Sequence, residues 1–138
     1  MGVDIEEARS FLQENHRAVL MTIRLDGKPQ ASPVVAGIDA NGRAVISTRE
    51  TAFKAVHVRR RPWAGLCVFT SDFFGKWVQV EGPADLVSLP DAMEGLIALY
   101  RDVAGEHPNW AEFEEAMYKE RRVLLRVDIQ RAGPTIFG

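Results

Sequence analysis

Between Trp77 and Leu89 the chain runs as one alternating segment, WVQVEGPADLVSL, with Gly82-Pro83 at its middle. Alternation marks a strand, but proline cannot donate to a ladder and glycine has no side chain to pack, so the pair argues for a bulge or strong bend. Curved sheets and barrels use such a device. The segments around it agree. β-Branched and aliphatic residues fill Ala18 to Leu25, Asp26-Gly27 turns the chain, and Pro29 to Ile38 runs extended again, which is a hairpin pattern. A second turn at Asn41-Gly42 leads into a third strand, Arg43 to Thr48. Gly65 to Thr70 makes a fourth, the bent segment a fifth, and Val123 to Ile129 a sixth.

Three stretches read as helix. Asp4, with Glu7 three residues on, caps a short amphipathic helix that ends near Asn15 and is expected to act as a lid. Thr51 to Arg61 is a helix stopped by Pro62. From Pro90-Asp91 onward, Ala92, Leu96, Leu99, Tyr100 and Val103 recur at helical spacing until Gly105, and Trp110, Phe113 and Met117 recur until Arg121-Arg122. Six strands, one crossover helix and one helical pair do not make the regular rhythm of a doubly wound parallel sheet. The expectation is a mainly β (α+β) fold, a six-stranded antiparallel barrel with peripheral helices. A barrel this small fills its interior with side chains, so a ligand larger than water has to bind at loops or between subunits.

Length and charge narrow the partners. At 138 residues the chain is expected to form a single domain, 1–138. Lys and Arg number 17 against 19 Asp and Glu, for a net charge of −2, which gives no whole-protein drive toward nucleic acid or an anionic membrane. One cysteine, Cys67, excludes an internal disulfide, and three scattered histidines make no compact metal motif. No apolar run approaches the roughly 18 residues of a membrane span, and the acidic N-terminus is unlike a signal peptide. A cytoplasmic protein is expected.

The positive charge is concentrated. Residues 49–61 carry Arg49, Lys54, Arg59, Arg60 and Arg61 against Glu50 alone, a local charge of +4 that leaves −6 for the rest. Just before this run, Ser47 and Thr48, with Thr51, place hydroxyls at a strand-to-helix junction, where free backbone N–H groups and the helix dipole favour a phosphate. Lys54 lies one turn into that helix. The same residues also fit a solvated basic helix. Trp77, beside Lys76 and after Phe73-Phe74-Gly75, offers either a flat surface for an aromatic ring or plain core packing. His16, His57 and His107 read as surface or capping residues, and Cys67 as a buried small hydrophobe. No residue is assigned as catalytic and none as a metal ligand. An anion cradle without a nucleophile or an acid-base pair suits a bound cofactor that carries the reaction, and equally suits no reaction at all.

Three segments, AVLMTIRLDGKPQASPVV, AVISTRETAFKAVHVRRRP and KWVQVEGPADL, together resemble the split-barrel flavin and deazaflavin family related to pyridoxamine phosphate oxidases. LIALYRDVAGEHPNW and YKERRVLLRV look like its actinobacterial subgroup that binds coenzyme F420. The resemblance implies a homodimer of split barrels with cofactor sites at the subunit interface. It implies that Ser47, Thr48 and Lys54, with Arg60 or a neighbour, hold the cofactor's phosphate and acidic tail. Gln30, Ser32, Pro33 and Val34 match the strand edge that faces the deazaflavin ring, and Trp77 matches an aromatic position near it. Ala52 stands where some relatives carry an arginine, which shifts the grip on the tail to Arg49 or to Arg59–Arg61. The tail RAGPTIFG lacks the substrate signature of true pyridoxamine phosphate oxidases, so that activity is not expected. The implied function is an F420-dependent oxidoreductase that passes a hydride to a conjugated, electrophilic small-molecule acceptor. The alternatives are an FMN-binding split barrel and a non-catalytic cofactor or haem carrier.

Overall fold

The computed structural model describes residues 2–136; residues 1, 137 and 138 of the expected 1–138 domain lie outside them. In chain order the elements are α1 (Ile5–Glu14), β1 (Arg17–Ile23), β2 (Pro29–Val35), β3 (Gly37–Ile38), β4 (Ala44–Arg49), α2 (Phe53–Arg60), β5 (Trp63–Phe69), β6 (Trp77–Val87), α3 (Met93–Ala104), α4 (Trp110–Lys119), β7 (Arg122–Val127) and β8 (Arg131–Gly133). The strands follow the order β2-β1-β5-β6-β7-β4-β3 with every pairing antiparallel, and β8 adds to β6. This is the antiparallel split barrel with peripheral helices. The six long strands are the six read from the sequence. Two short ones join them: Pro29 to Ile38 breaks at the buried Ala36 into β2 and β3, and the unassigned tail contributes β8.

The bend falls where the glycine and proline put it. Residues 77–83 of β6 pair with β5, whereas residues 84–87 pair with β7, so one strand serves both halves of the barrel. At the crossing the Asp128 N–H donates to the Pro83 carbonyl at 2.8 Å and the Gln130 N–H to the Glu81 carbonyl at 3.0 Å. That draws the Asp128 backbone so close that a Cβ on Gly82 would stand 1.8 Å from its carbonyl oxygen. Only glycine fits there. Gly27, at φ +84°, serves a different need, because the β1–β2 turn requires the left-handed region while the Asp26 carboxylate accepts from the Lys28 N–H.

Alternation divides the side chains into two layers. Leu20, Ile46, Leu66, Val68, Val78, Val80, Leu125 and Val127 fill the barrel, each at most 2% exposed. Each buried aliphatic of this size contributes about 1.5–3 kcal/mol relative to exposure. Helix α1 is capped by the Asp4 carboxylate, which accepts from the Glu6 N–H at 2.7 Å. It sends Ala8 and Leu12 into that core, so it is a plug fixed in the barrel and not the lid expected. Strand β4 is covered on both faces. Ile46 points into the barrel, while Val45 packs outward with Leu124 against Leu96, Leu99, Phe113 and Met117 of the helical pair.

Candidate functional site

The packing of α3 and α4 on the outer face of β4 and β7 leaves a cleft of about 650 Å³ beside the edge of β2. Ser47, Thr48 and Lys54 line it, together with Pro33 and Val34, so five of the nine residues read from the sequence meet in one place. Among the described residues, the Ser47 and Thr48 hydroxyls have no protein hydrogen-bond partner, and the Lys54 ammonium has no carboxylate within 4.0 Å. Neither hydroxyl is sealed from solvent, since no fully buried polar side-chain atom lacks a partner. The cap residue of α2, Ala52, supplies no side-chain hydrogen bond; its carbonyl accepts from the Ala55 N–H at 3.0 Å, and the N–H groups of Phe53 and Lys54 are left open among the described residues. Arg122 of the lining is paired with Glu120, and Glu112 also lines the cleft, but Lys54 stands free beside unpaired donors on a partly apolar wall, the arrangement a phosphate-bearing cofactor requires. The residues present fit that group.

The rest of the basic run disperses. Arg59 donates to the Glu50 carbonyl at 3.0 Å and Arg61 to the Leu25 carbonyl at 3.1 Å. Arg60 is exposed and stands six residues beyond Lys54, about 120° around the helix, outside the cleft lining. Gln30 and Ser32 lie on β2 opposite Thr22 and Leu20, also outside the lining. Trp77 is half-buried at the start of β6, opposite Phe69 on the outer face of the sheet. Within this chain, Trp77 and the cradle do not meet.

Several cleft residues carried no local signal. Tyr100 and Phe113 belong to the helical pair, whose spacing reads only as core, and His107, read as a surface or capping residue, lies in the loop between α3 and α4. Arg122 and Glu120 also line the cleft, paired with each other at 2.8 Å, and Arg49 lies 3.9 Å from the same carboxylate. Of the two other histidines, His57 is buried and hydrogen-bonded through Nδ1 to Thr22 Oγ1 at 2.9 Å, and His16 Nδ1 lies 2.9 Å from the Ala36 carbonyl. Burial pushes the Cys67 thiol up from its ordinary value, the opposite of an activated nucleophile.

A second concavity, about 780 Å³, opens on the other side of α3. It is lined by Asp39, Asp91, Glu94 and Asp102, and its two arginines are already taken: Arg43 by Asp39, and Arg126 by Asp85, whose carboxyl Arg126 holds below the usual range. Among the described residues, Asp91, Glu94 and Asp102 are left without a basic partner, and three such carboxylates disfavour a phosphate. The smaller cleft is the one that suits an anion.

A family model described as pyridoxamine 5'-phosphate oxidase matches residues 5–135. An F420H(2)-dependent biliverdin reductase from Mycobacterium tuberculosis is 28% identical over 127 residues, covering 91% of this chain and 84% of that protein. Among solved structures, a conserved hypothetical protein from Mycobacterium tuberculosis superposes with a TM-score of 0.77 at 22% identity, covering 94% of this chain and 82% of the other. A structure described as an F420 reductase gives 0.68 at 21% identity, covering 91% and 94%. A haem-binding protein from Mycobacterium smegmatis gives 0.70 at 21% identity, covering 93% of this chain and 52% of its own. At these identities the structures share the fold.

Proposed function

We propose, from the premise that this chain belongs to the pyridoxamine 5'-phosphate oxidase family, that it is an F420-dependent reductase of a flat, conjugated small-molecule acceptor. The observation that carries this reading is the cluster of unpaired groups in the cleft, Ser47, Thr48 and Lys54, in a chain that resembles a deazaflavin-dependent biliverdin reductase along most of its length. Coenzyme F420, when bound, supplies the hydride. The two hydroxyls and the open N–H groups of Phe53 and Lys54 would hold its phosphate, and the Lys54 ammonium would neutralise the charge. Pro33 and Val34 at the edge of β2 face the ring. Leu96, Leu99 and Met117 keep water from the other wall. The chain's contribution is orientation, with no side chain required as acid or base; the proton that follows the hydride onto the acceptor comes from solvent at the mouth of the cleft.

The protein works as a homodimer in this reading. Across β2, β1, β5 and β6, the row Pro33, Val19, Cys67 and Gln79 and its neighbour Val35, Arg17, Phe69 and Trp77 lie on one face. That face leaves Val35 52% exposed, and the loop beside it leaves Phe73 and Phe74 70% and 87% exposed. A second copy would cover this apolar surface and would carry Trp77 into the shared site. Light scattering should give twice 15.4 kDa; a monomer at micromolar concentration would sink the dimer.

Lys54→Ala tests the cradle. Loss of one charge-assisted contact should weaken coenzyme F420 about 10- to 100-fold in a fluorescence titration, and near-normal affinity would refute the assignment. A second reading, an FMN protein, is favoured by one observation: with Arg59 and Arg61 tied to backbone carbonyls, the cradle is compact enough for a single terminal phosphate. Side-by-side titration with coenzyme F420, FMN and haem separates the three, and preference for haem would turn the reading toward a carrier.

A further inference from the structure

The far wall of the cleft is an aromatic corner at the junction of α3 and α4. The Tyr100 ring lies 5.1 Å from His107, 5.2 Å from Phe113 and 5.8 Å from Trp110 between centroids, and His107 lies 5.7 Å from both Phe113 and Trp110. The corner is braced from outside. Arg101 sits 4.8 Å over the Trp110 ring, and the Glu106 carboxylate accepts from Trp110 Nε1 at 3.0 Å and from Arg101 at 2.8 Å. Those bonds, the Trp110 one foremost, hold the Glu106 carboxyl below its ordinary value.

Two polar atoms of this wall remain unused. The Asn109 backbone N–H donates to His107 Nδ1 at 2.9 Å, so in the neutral ring the proton resides on Nε2. Among the described residues, neither His107 Nε2 nor the Tyr100 hydroxyl has a protein hydrogen-bond partner, and neither is sealed from solvent. A wall built only to bury the barrel's outer face would need neither group. Phe113 and Met117 do that work already.

We infer that Tyr100 and His107 are specificity-determining residues for the acceptor. They form an aromatic shelf for a flat conjugated molecule and present two hydrogen-bond donors to its carbonyl or lactam oxygens. A conjugated carbonyl gathers negative charge on oxygen as it is reduced, and donors fixed in advance at that position favour it. The inference rests on the proposed reductase reading for the identity of the ligand as an acceptor, but not for the recognition chemistry.

Biliverdin is the probe, followed by its visible absorbance shift on titration into the protein, with and without coenzyme F420. Tyr100→Phe keeps the ring and deletes one donor; His107→Phe keeps a ring and deletes one donor together with the Nδ1 acceptor of the Asn109 N–H, so Tyr100→Phe is the cleaner of the two. Each should weaken biliverdin about fivefold and the double variant more than tenfold, while the affinity for coenzyme F420 stays within about twofold. Unchanged biliverdin affinity in the double variant overturns the inference. An equal loss of coenzyme affinity also overturns it, because the corner would then lie beneath the cofactor ring, as does a wild-type protein that fails to bind biliverdin in either state. Tyr100→Phe removes one solvent-reachable hydroxyl and keeps the test open if the double variant does not fold. Should the wild type bind no deazaflavin, the reductase reading falls, while the fivefold losses in biliverdin affinity still decide the donors.

Discussion

The barrel interior and the cleft beside it are built from the same strands on opposite principles. Inside, the hydroxyl of Thr22 and the ring of His57, 2% and 6% exposed, bond each other, and aliphatic side chains fill most of the rest. In the cleft, the hydroxyl of Ser47, the ammonium of Lys54, the hydroxyl of Tyr100 and a ring nitrogen of His107 have no protein partner among the described residues, and the Thr48 hydroxyl, in a residue 5% exposed, is likewise unpaired at the barrel's edge. Polar groups satisfied internally serve the fold, whereas polar groups left open in a concavity serve a ligand. β4 carries both principles, with Ile46 in the barrel and Ser47 at the cleft.

The difference can be broken from the barrel side first. Gly82→Val drives a side chain into the Asp128 backbone, which cannot rotate away, and should cost about 3 kcal/mol or more, lowering Tm by roughly 10 °C in a calorimetric scan. Leu125→Ala, which empties a fully buried site, is expected to cost about 3 kcal/mol by urea unfolding. For Thr22→Val the shape is kept but His57 loses its partner, and the same measurement should read about 1–2 kcal/mol. On the cleft side, Ser47→Ala and Thr48→Val should leave stability within about 0.5 kcal/mol and still impair cofactor binding. A stability loss at Ser47 and Thr48 as large as at Thr22 would erase the distinction.

The smallest effect belongs to an exposed turn. The Asp26 carboxyl is lowered from 3.8 to about 2, chiefly by its hydrogen bond from the Arg24 guanidinium and next by the Lys28 N–H. Because folding keeps this group ionised to lower pH, its contribution is complete above about pH 4 and fades as pH falls toward 2. Asp26→Asn should therefore flatten the acid limb of the Tm profile in that window by a small amount. A steeper acid limb in the variant would contradict the sign.

Much of this was legible along the chain, and the parts that were not share a reason. Ser47, Thr48 and Lys54 are close in sequence, and a strand-to-helix junction brings them together whatever the rest does. The bend at Gly82-Pro83 was likewise local. By contrast, Tyr100 and Phe113 sit more than forty residues beyond the cradle in a pair of amphipathic helices, with His107 in the loop between them. Their spacing states that one face is buried without stating against what. Arg60 looked equivalent to Lys54 as a charge in the same run, and helix geometry separated them.

Alternation, turn chemistry and one glycine-proline pair determined by themselves that this chain forms a curved antiparallel sheet with a basic junction at the end of β4, because each depends on neighbours a few residues apart. Only tertiary packing decided that α3 and α4 lie over β4 and β7 rather than elsewhere, that Arg59 and Arg61 are spent on carbonyls while Lys54 is not, and that Tyr100 and His107 join Ser47, Thr48 and Lys54 in one cleft. Those outcomes depend on which surfaces meet, and hydrophobic burial is non-directional until a complete set of competing surfaces is present.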